Sequence, residues 1–132
     1  MLFLLTTMKV IVLNETKTPL PVIDFDGIKT AALGSNYSLN LIFTTATKIK
    51  KLNIIYRGKK CSTDILSFPI SDREGEIYIS PTDARSEAKK FDRPYDNFIA
   101  FLFIHGCTHL KGHDHGAIME GVEIKLRKQF KV

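Results

Sequence analysis

Seven consecutive apolar residues, Phe98 to Ile104, restrict the fold of this chain more than any other stretch of its sequence. A helix formed by such a run is apolar on every side, and a helix of that kind is buried in the centre of a protein. All 4 histidines of the chain follow between His105 and His115. We therefore expect a central buried helix that ends in a cluster of histidines.

The spacing of these histidines predicts a metal site. If the helix continues through His109, the side chains of His105 and His109 lie one turn apart, with about 5–6 Å between their Cβ atoms. Gly112 can adopt a left-handed conformation and turn the chain, so that His115 returns to the same point. Three imidazoles around one ion leave a position open for water, which is the arrangement of a catalytic zinc site. Nickel and other divalent metals also accept such ligands.

Three neighbours of the predicted ligands are given other roles. His113 is expected to point outward because it lies in the turn. Cys107 is expected to face the core, since it lies about 200° around the helix from His105. Asp114 either accepts a hydrogen bond from a ligand imidazole or caps the last helix, and the sequence leaves both roles open.

Gly106 argues against a protease. The pattern His-x3-His-x5-His is that of the metzincin proteases, but Gly106 stands where their catalytic glutamate is found. A metal site without that base can still act on an anionic substrate such as a phosphodiester. A zinc metallopeptidase-like hydrolase that uses a different base remains an alternative.

Arg57 is the candidate for stabilising charge on a phosphodiester transition state, because a guanidinium stays charged and offers a planar fork of donors. On the residues alone, a solvated surface arginine is the more common explanation. The chain has 19 Lys and Arg against 14 Asp and Glu, a net charge of +5, which suggests an anionic partner. Basic residues around Arg57 form either a solvated face or a surface that contacts an RNA backbone: Lys48, Lys50, Lys51, Lys59 and Lys60.

The hydrophobic pattern predicts an α+β fold: a single layered domain over residues 1–132, with residues 1–7 as a possible N-terminal extension. We expect a small mixed sheet of about four strands packed with four to five helices. The first strand is predicted to be buried and the third to be closed by Pro69, with a hairpin-like polar loop at 71–75 before the fourth strand. The second helix is expected to be capped by Thr45 and ended by Gly58, and the long apolar helix to be capped by Asp96 or Asn97. The predicted strands are 9–13, 38–44, 64–69 and 76–80, and the predicted helices are 24–34, 45–56, 81–93, 97–109 and 117–130.

The two cysteines, Cys61 and Cys107, do not make a disulfide framework, which favours a reducing, cytoplasmic compartment. The apolar N-terminus is too short for a membrane span and lacks the basic start of a signal peptide. No membrane partner is expected.

The histidine segment closely resembles the signature of the YbeY-type endoribonucleases, the bacterial ribosomal RNA maturation factors. It reads His105-Gly-x-x-His109-Leu-x-Gly112-His-Asp114-His115. Further pieces agree with the family in the same order, and the resemblance covers roughly residues 39–126. These pieces are Leu52-Asn53 with Tyr56-Arg57-Gly58-Lys59, then 62–69 (Ser-Thr-Asp-Ile-Leu-Ser-Phe-Pro), then 75–80 (Gly-Glu-Ile-Tyr-Ile-Ser).

The resemblance implies a metal-dependent endoribonuclease specific for single-stranded RNA, which acts in maturation of the 16S ribosomal RNA 3′ end and in ribosome quality control. It implies His105, His109 and His115 as ligands of one zinc ion, with the metal-bound water and Arg57 as the catalytic groups. Its partners would be ribosomal RNA of the small subunit and ribosomal or ribosome-assembly proteins. A non-catalytic ribosome-assembly factor with a structural metal is the remaining alternative.

Overall fold

The computed structural model describes residues 7–112 and 116–132. These residues form a four-stranded sheet and five helices, so the predicted α+β class is confirmed. The elements in chain order are β1 (Ile11–Asn14), α1 (Phe25–Leu33), β2 (Ser38–Phe43), α2 (Ala46–Arg57), β3 (Ile65–Ser71), β4 (Glu74–Ile79), α3 (Pro81–Lys90), α4 (Tyr95–Leu110) and α5 (Ala117–Phe130).

The sheet is mixed, with strand order β1-β2-β4-β3. The pairs β1–β2 and β2–β4 are parallel, whereas β3 and β4 form the predicted antiparallel hairpin. β1 and β3 are therefore the two edge strands. A cleft runs along the free edge of β3.

α4 is the buried centre of the molecule, as its sequence predicted. It contacts the other helices α1, α3 and α5 and the strands β3 and β4. Ile99, Phe103 and Ile104 of α4 are fully buried, and they belong to the same core cluster as Ile77 and Ile79 of β4. Because α4 is held on all sides, the side chains at its C-terminal end have a rigid support.

α2 lies against the opposite face of the sheet. Side chains alternate between the faces of a strand, so Tyr78 lies on the face opposite to Ile77 and Ile79. Phe68 of β3 packs on Tyr78, and Tyr56 of α2 packs on Phe68. The sheet therefore has α4 on one face and α2 on the other, and both helices end near the free edge of β3.

Both ends of α2 follow the sequence prediction. The Thr45 side chain accepts a hydrogen bond from the Lys48 backbone N–H at 3.2 Å, which caps the start of the helix. Gly58 ends the helix with φ 66°, a left-handed conformation that glycine adopts without strain. This turn fixes Arg57 as the last residue of the helix.

The prediction of a buried first strand is wrong. β1 is an edge strand, and its Ile11 and Leu13 are 56% and 50% exposed. Val10 and Val12 alone pack against the core from this segment. An apolar run gives no signal for the number of neighbouring strands, which depends on contacts with distant parts of the chain.

Two other boundaries differ from the predicted ones. Pro69 does not close β3, which continues to Ser71 with an irregularity between these two residues. Proline is tolerated there because β3 is an edge strand and one side of its backbone needs no partner. The predicted loop at 71–75 is therefore reduced to Asp72 and Arg73.

α4 begins at Tyr95 after Pro94, without the side-chain cap that Asp96 or Asn97 was expected to provide. The fixed φ of proline starts the helix at this point instead. Among the helices of residues 7–112 and 116–132, none is both long and apolar enough to cross a membrane.

Candidate active site

The C-terminal end of α4 brings His105 and His109 together. Their ring centroids are 4.8 Å apart and the rings are nearly perpendicular, at 83°. Both side chains are partly buried. The predicted one-turn spacing of these two histidines is therefore what the structure shows, and their role as metal ligands stays a prediction.

Glu123 of α5 holds the imidazole of His105. Its Oε1 accepts a hydrogen bond from His105 Nδ1 at 2.6 Å and a second from Thr108 Oγ1 at 2.9 Å. Arg127, one turn later in α5, lies 3.6 Å from the other carboxylate oxygen. A carboxylate accepts only, so this contact places the proton of a neutral His105 on Nδ1 and the lone pair on Nε2. Any metal coordination by His105 would therefore use Nε2.

The sequence reasoning missed Glu123, although a signal was present. Met119, Glu123 and Leu126 recur at helical spacing and form the buried side of α5. A carboxylate within an apolar stripe is unusual, because burying it costs free energy unless it is paired. The signal does not name the partner, since that depends on how α5 packs against α4.

Gly106 lies at a close approach of α4 to the sheet. A Cβ atom at this position would be 2.9 Å from Ile77 Cδ1 and 3.0 Å from Ser67 Oγ. Gly106 thus faces β3 and β4, and glycine permits the close contact between helix and sheet. A larger residue at this position would require the ends of these side chains to shift, so the packing here favours glycine over the glutamate of the protease pattern.

Arg57 joins the two histidines in one cleft. The cleft has a volume of about 560 Å³ and runs along the free edge of β3, between the end of α2 and the end of α4. Arg57 is exposed, and no carboxylate of residues 7–112 and 116–132 forms an ion pair with it. The described residues that line the cleft are Tyr56, Arg57, Thr63, Ile65, Leu66, Ser67, Phe68, His105 and His109.

Known proteins resemble this chain over most of its length. The family model described as Endoribonuclease YbeY matches residues 23–131. The chain belongs to the endoribonuclease YbeY family. The predicted family is therefore confirmed, and with it the enzyme class that the family's name describes, a hydrolytic endoribonuclease.

Individual members of the family agree. An endoribonuclease YbeY of Alkaliphilus metalliredigens is 32% identical over 106 residues, which are 72% of this chain and 68% of the relative. One from Aster yellows witches'-broom phytoplasma is 39% identical over 103 residues, 71% of this chain and 70% of the relative. The solution structure of TM1509 from Thermotoga maritima superposes with a TM-score of 0.66 at 24% identity, covering 92% of this chain and 91% of that one. The last comparison supports the fold alone.

The third predicted ligand, His115, lies outside the described residues, as do His113 and Asp114. Residues 7–112 and 116–132 contain no group of three His, Cys, Asp or Glu side chains placed to hold a metal ion. Gly112, which was expected to turn the chain, has φ 93°, in the left-handed region that favours glycine. The three-histidine site thus stays a prediction with two of its members, His105 and His109, in place.

The predicted RNA-binding lysines do not line the cleft. Lys48 lies at the opposite end of α2 from Arg57 and forms an ion pair with Glu15 at 2.8 Å, which raises the pKa of Lys48. Contact with RNA would compete with that pair. The other four, which are exposed, are Lys50, Lys51, Lys59 and Lys60.

Cys107 is fully buried, as predicted for a core residue, and this burial raises the pKa of its thiol. A thiol that stays protonated is a poor metal ligand and a poor nucleophile. Cys61 is exposed and lies outside the cleft lining. The chemistry of the site therefore does not depend on either cysteine.

Proposed function

We propose that this chain is a metal-dependent endoribonuclease that cuts single-stranded RNA in the cleft along β3. The observation that carries the proposal is that Arg57, His105 and His109 line the same cleft although they come from two helices on opposite faces of the sheet. Family membership supports the same reaction class. We further propose that the substrate is the 3′ end of 16S ribosomal RNA, and that the protein acts in the cytoplasm with ribosomal or ribosome-assembly proteins in maturation and quality control.

The donor set fits a zinc ion, with one ion per chain. His105 and His109 present imidazoles one helical turn apart. Glu123 orients the ring of His105 through Nδ1, the ring nitrogen opposite the proposed metal-binding Nε2, and such a contact is common to histidines that bind metals. His115 is the proposed third ligand, and nickel or another divalent metal is compatible with the same donors. A metal at this position would act as a Lewis acid and lower the pKa of bound water.

Arg57 is proposed to bind the scissile phosphate. Its guanidinium forms no ion pair with a described carboxylate, so it can offer two parallel hydrogen bonds to phosphate oxygens. This contact becomes stronger as negative charge develops on those oxygens, which is the condition for catalysis. Thr63 and Ser67 add hydroxyl groups that can orient the ribose and the phosphate.

The size of the cleft favours single strands. A cleft of about 560 Å³ is in the range that holds one small ligand, which corresponds to about one or two nucleotides, and this size supports a single strand over a double helix as the substrate. The exposed lysines Lys50, Lys51, Lys59 and Lys60 are proposed to contact the backbone beyond the cleft, and this contact should weaken with rising salt. The metallopeptidase alternative has less support, because Gly106 stands in place of the protease glutamate.

The proposed function is tested by metal content and by cleavage of defined RNAs. We expect about one metal ion per chain, cleavage of an end-labelled single-stranded RNA, and no cleavage of the same sequence within a duplex. A chelator should stop the reaction and added zinc should restore it. Cleavage of unstructured peptides instead of RNA would favour the peptidase alternative. RNA binding without cleavage by the metal-loaded protein would favour the assembly factor with a structural metal.

Glu123→Gln is expected to lower the affinity for zinc about 10- to 100-fold, because the neutral amide no longer supports the basicity and orientation of His105. Isothermal titration calorimetry measures this change. Glu74→Gln removes an exposed carboxylate outside the cleft and should leave the affinity unchanged. Equal zinc affinity of Glu123→Gln and wild type would show that the hydrogen bond does not position a ligand.

A further inference from the structure

The proposed reaction leaves one part of the cleft without a role, the aromatic side chains of Tyr56 and Phe68. We propose that these two rings form a stacking site for an unpaired RNA base beside the scissile phosphate. The site deepens the proposed function and rests on it, since it names how the same cleft recognises its substrate.

Tyr56 is supported from one side and open to solvent on the other. Its ring centroid is 5.0 Å from that of Phe68, which in turn is 5.8 Å from that of Tyr78. Despite this support, Tyr56 is 65% exposed. The row of rings therefore limits the freedom of Tyr56 and leaves most of its surface available to a ligand, so little conformational entropy is lost on binding.

The position of Tyr56 matches the position of the phosphate site. Tyr56 and Arg57 are consecutive, close the last turn of α2 and line the same cleft as His105 and His109. The base and the phosphate of a nucleotide are joined through a single sugar. A ring and a guanidinium on neighbouring residues can thus bind the base and the phosphate of the same nucleotide or of adjacent ones.

The chemistry of the lining favours a nucleotide over an apolar protein segment. The cleft combines aromatic rings with the charge of Arg57 and the hydroxyls of Thr63 and Ser67, and the chain has a net charge of +5. An anionic polymer with flat bases complements all of these groups. Because every base has a stacking face, this site should bind unpaired RNA with little preference for sequence. In a duplex the bases stack on each other and cannot reach the ring.

The test compares two oligonucleotides that differ only in their bases. One is a short single-stranded 2′-O-methyl oligonucleotide, and the other has the same backbone with every base removed. Binding to the metal-loaded, full-length protein is measured by fluorescence anisotropy, and gel analysis confirms that neither oligonucleotide is cut. Tyr56→Ala should weaken binding of the base-bearing oligonucleotide about five-fold or more and leave binding of the base-free backbone within about two-fold.

Two variants serve as controls. Tyr56→Phe keeps the ring and should bind both oligonucleotides like wild type. Ile55→Ala removes a similarly exposed apolar side chain from the same helical turn, but Ile55 is outside the cleft lining, so wild-type binding is expected. Unchanged binding by Tyr56→Ala would overturn the stacking site and leave the ring available to a protein partner. An equal loss for both oligonucleotides would overturn it too, since it would indicate a structural role.

The result separates this inference from the proposed function. If Tyr56→Ala loses binding only to the base-bearing oligonucleotide and the wild-type protein cuts no RNA, the stacking site is retained and the nuclease is rejected. If the wild-type protein cuts RNA and Tyr56→Ala loses binding to both oligonucleotides equally, the nuclease is retained and the stacking site is rejected.

Discussion

Replacing His109 with alanine is expected to lower RNA cleavage at least about 1,000-fold, because a bound metal contributes several kcal/mol of transition-state stabilisation. The variant should also lose its metal, since two imidazoles hold an ion far less firmly than three. Metal content by mass spectrometry and cleavage of a single-stranded RNA measure the two effects on the same sample.

The control for His109→Ala is Lys111→Ala, which changes an exposed side chain just after the end of α4 and outside the cleft lining. It should retain metal and full activity. Circular dichroism should give both variants wild-type helix content, because the side chain of His109 is only partly buried. Full cleavage by metal-free His109→Ala would reject the metal-dependent mechanism.

The features that could be predicted from the sequence are those decided by local pattern. The seven apolar residues before His105 required a buried helix, and α4 is that helix. Thr45 and Gly58 marked the ends of α2, because caps and left-handed turns depend on a few neighbouring residues. The helical spacing of His105 and His109 likewise fixed their proximity without knowledge of the rest of the fold.

The features that could not be predicted depend on contacts between distant segments. β1 is an edge strand because, among the described strands, it pairs with β2 alone, and the apolar run carries no information about the number of its neighbours. Glu123 finds His105 only because α5 packs against α4. Gly106 was recognised as a missing carboxylate, but its close approach to Ile77 required the packed structure.

The role of Arg57 could be predicted only in part from the sequence. Its charge and its place at the end of a basic helix were evident, yet a solvated arginine was the more common explanation of the same residues. The structure changes this balance because the β3 edge brings the end of α2 to the end of α4, so Arg57 shares a cleft with His105. The five lysines near it in sequence do not line that cleft. Arg57 is therefore placed to contact the scissile phosphate, whereas the lysines can contact only other parts of the RNA backbone.

Arg57→Ala is therefore expected to reduce the kcat for RNA cleavage about 100- to 1,000-fold, the range found when one preorganised donor to a developing negative charge is removed. Zinc content should stay at the wild-type level, since a guanidinium remains protonated and does not coordinate metals. Single-turnover cleavage with the metal content of each sample measured in parallel tests both statements.

Lys50→Ala is the matched control for Arg57. Lys50 lies two helical turns before Arg57 on the same side of α2, is exposed, and does not line the cleft. Its loss should weaken RNA binding slightly in a salt-dependent way and leave kcat unchanged. Arg57→Lys should recover part of the lost rate, because it restores the charge without the planar fork. Equal kcat values for Arg57→Ala and wild type would show that the arginine does not act on the scissile phosphate.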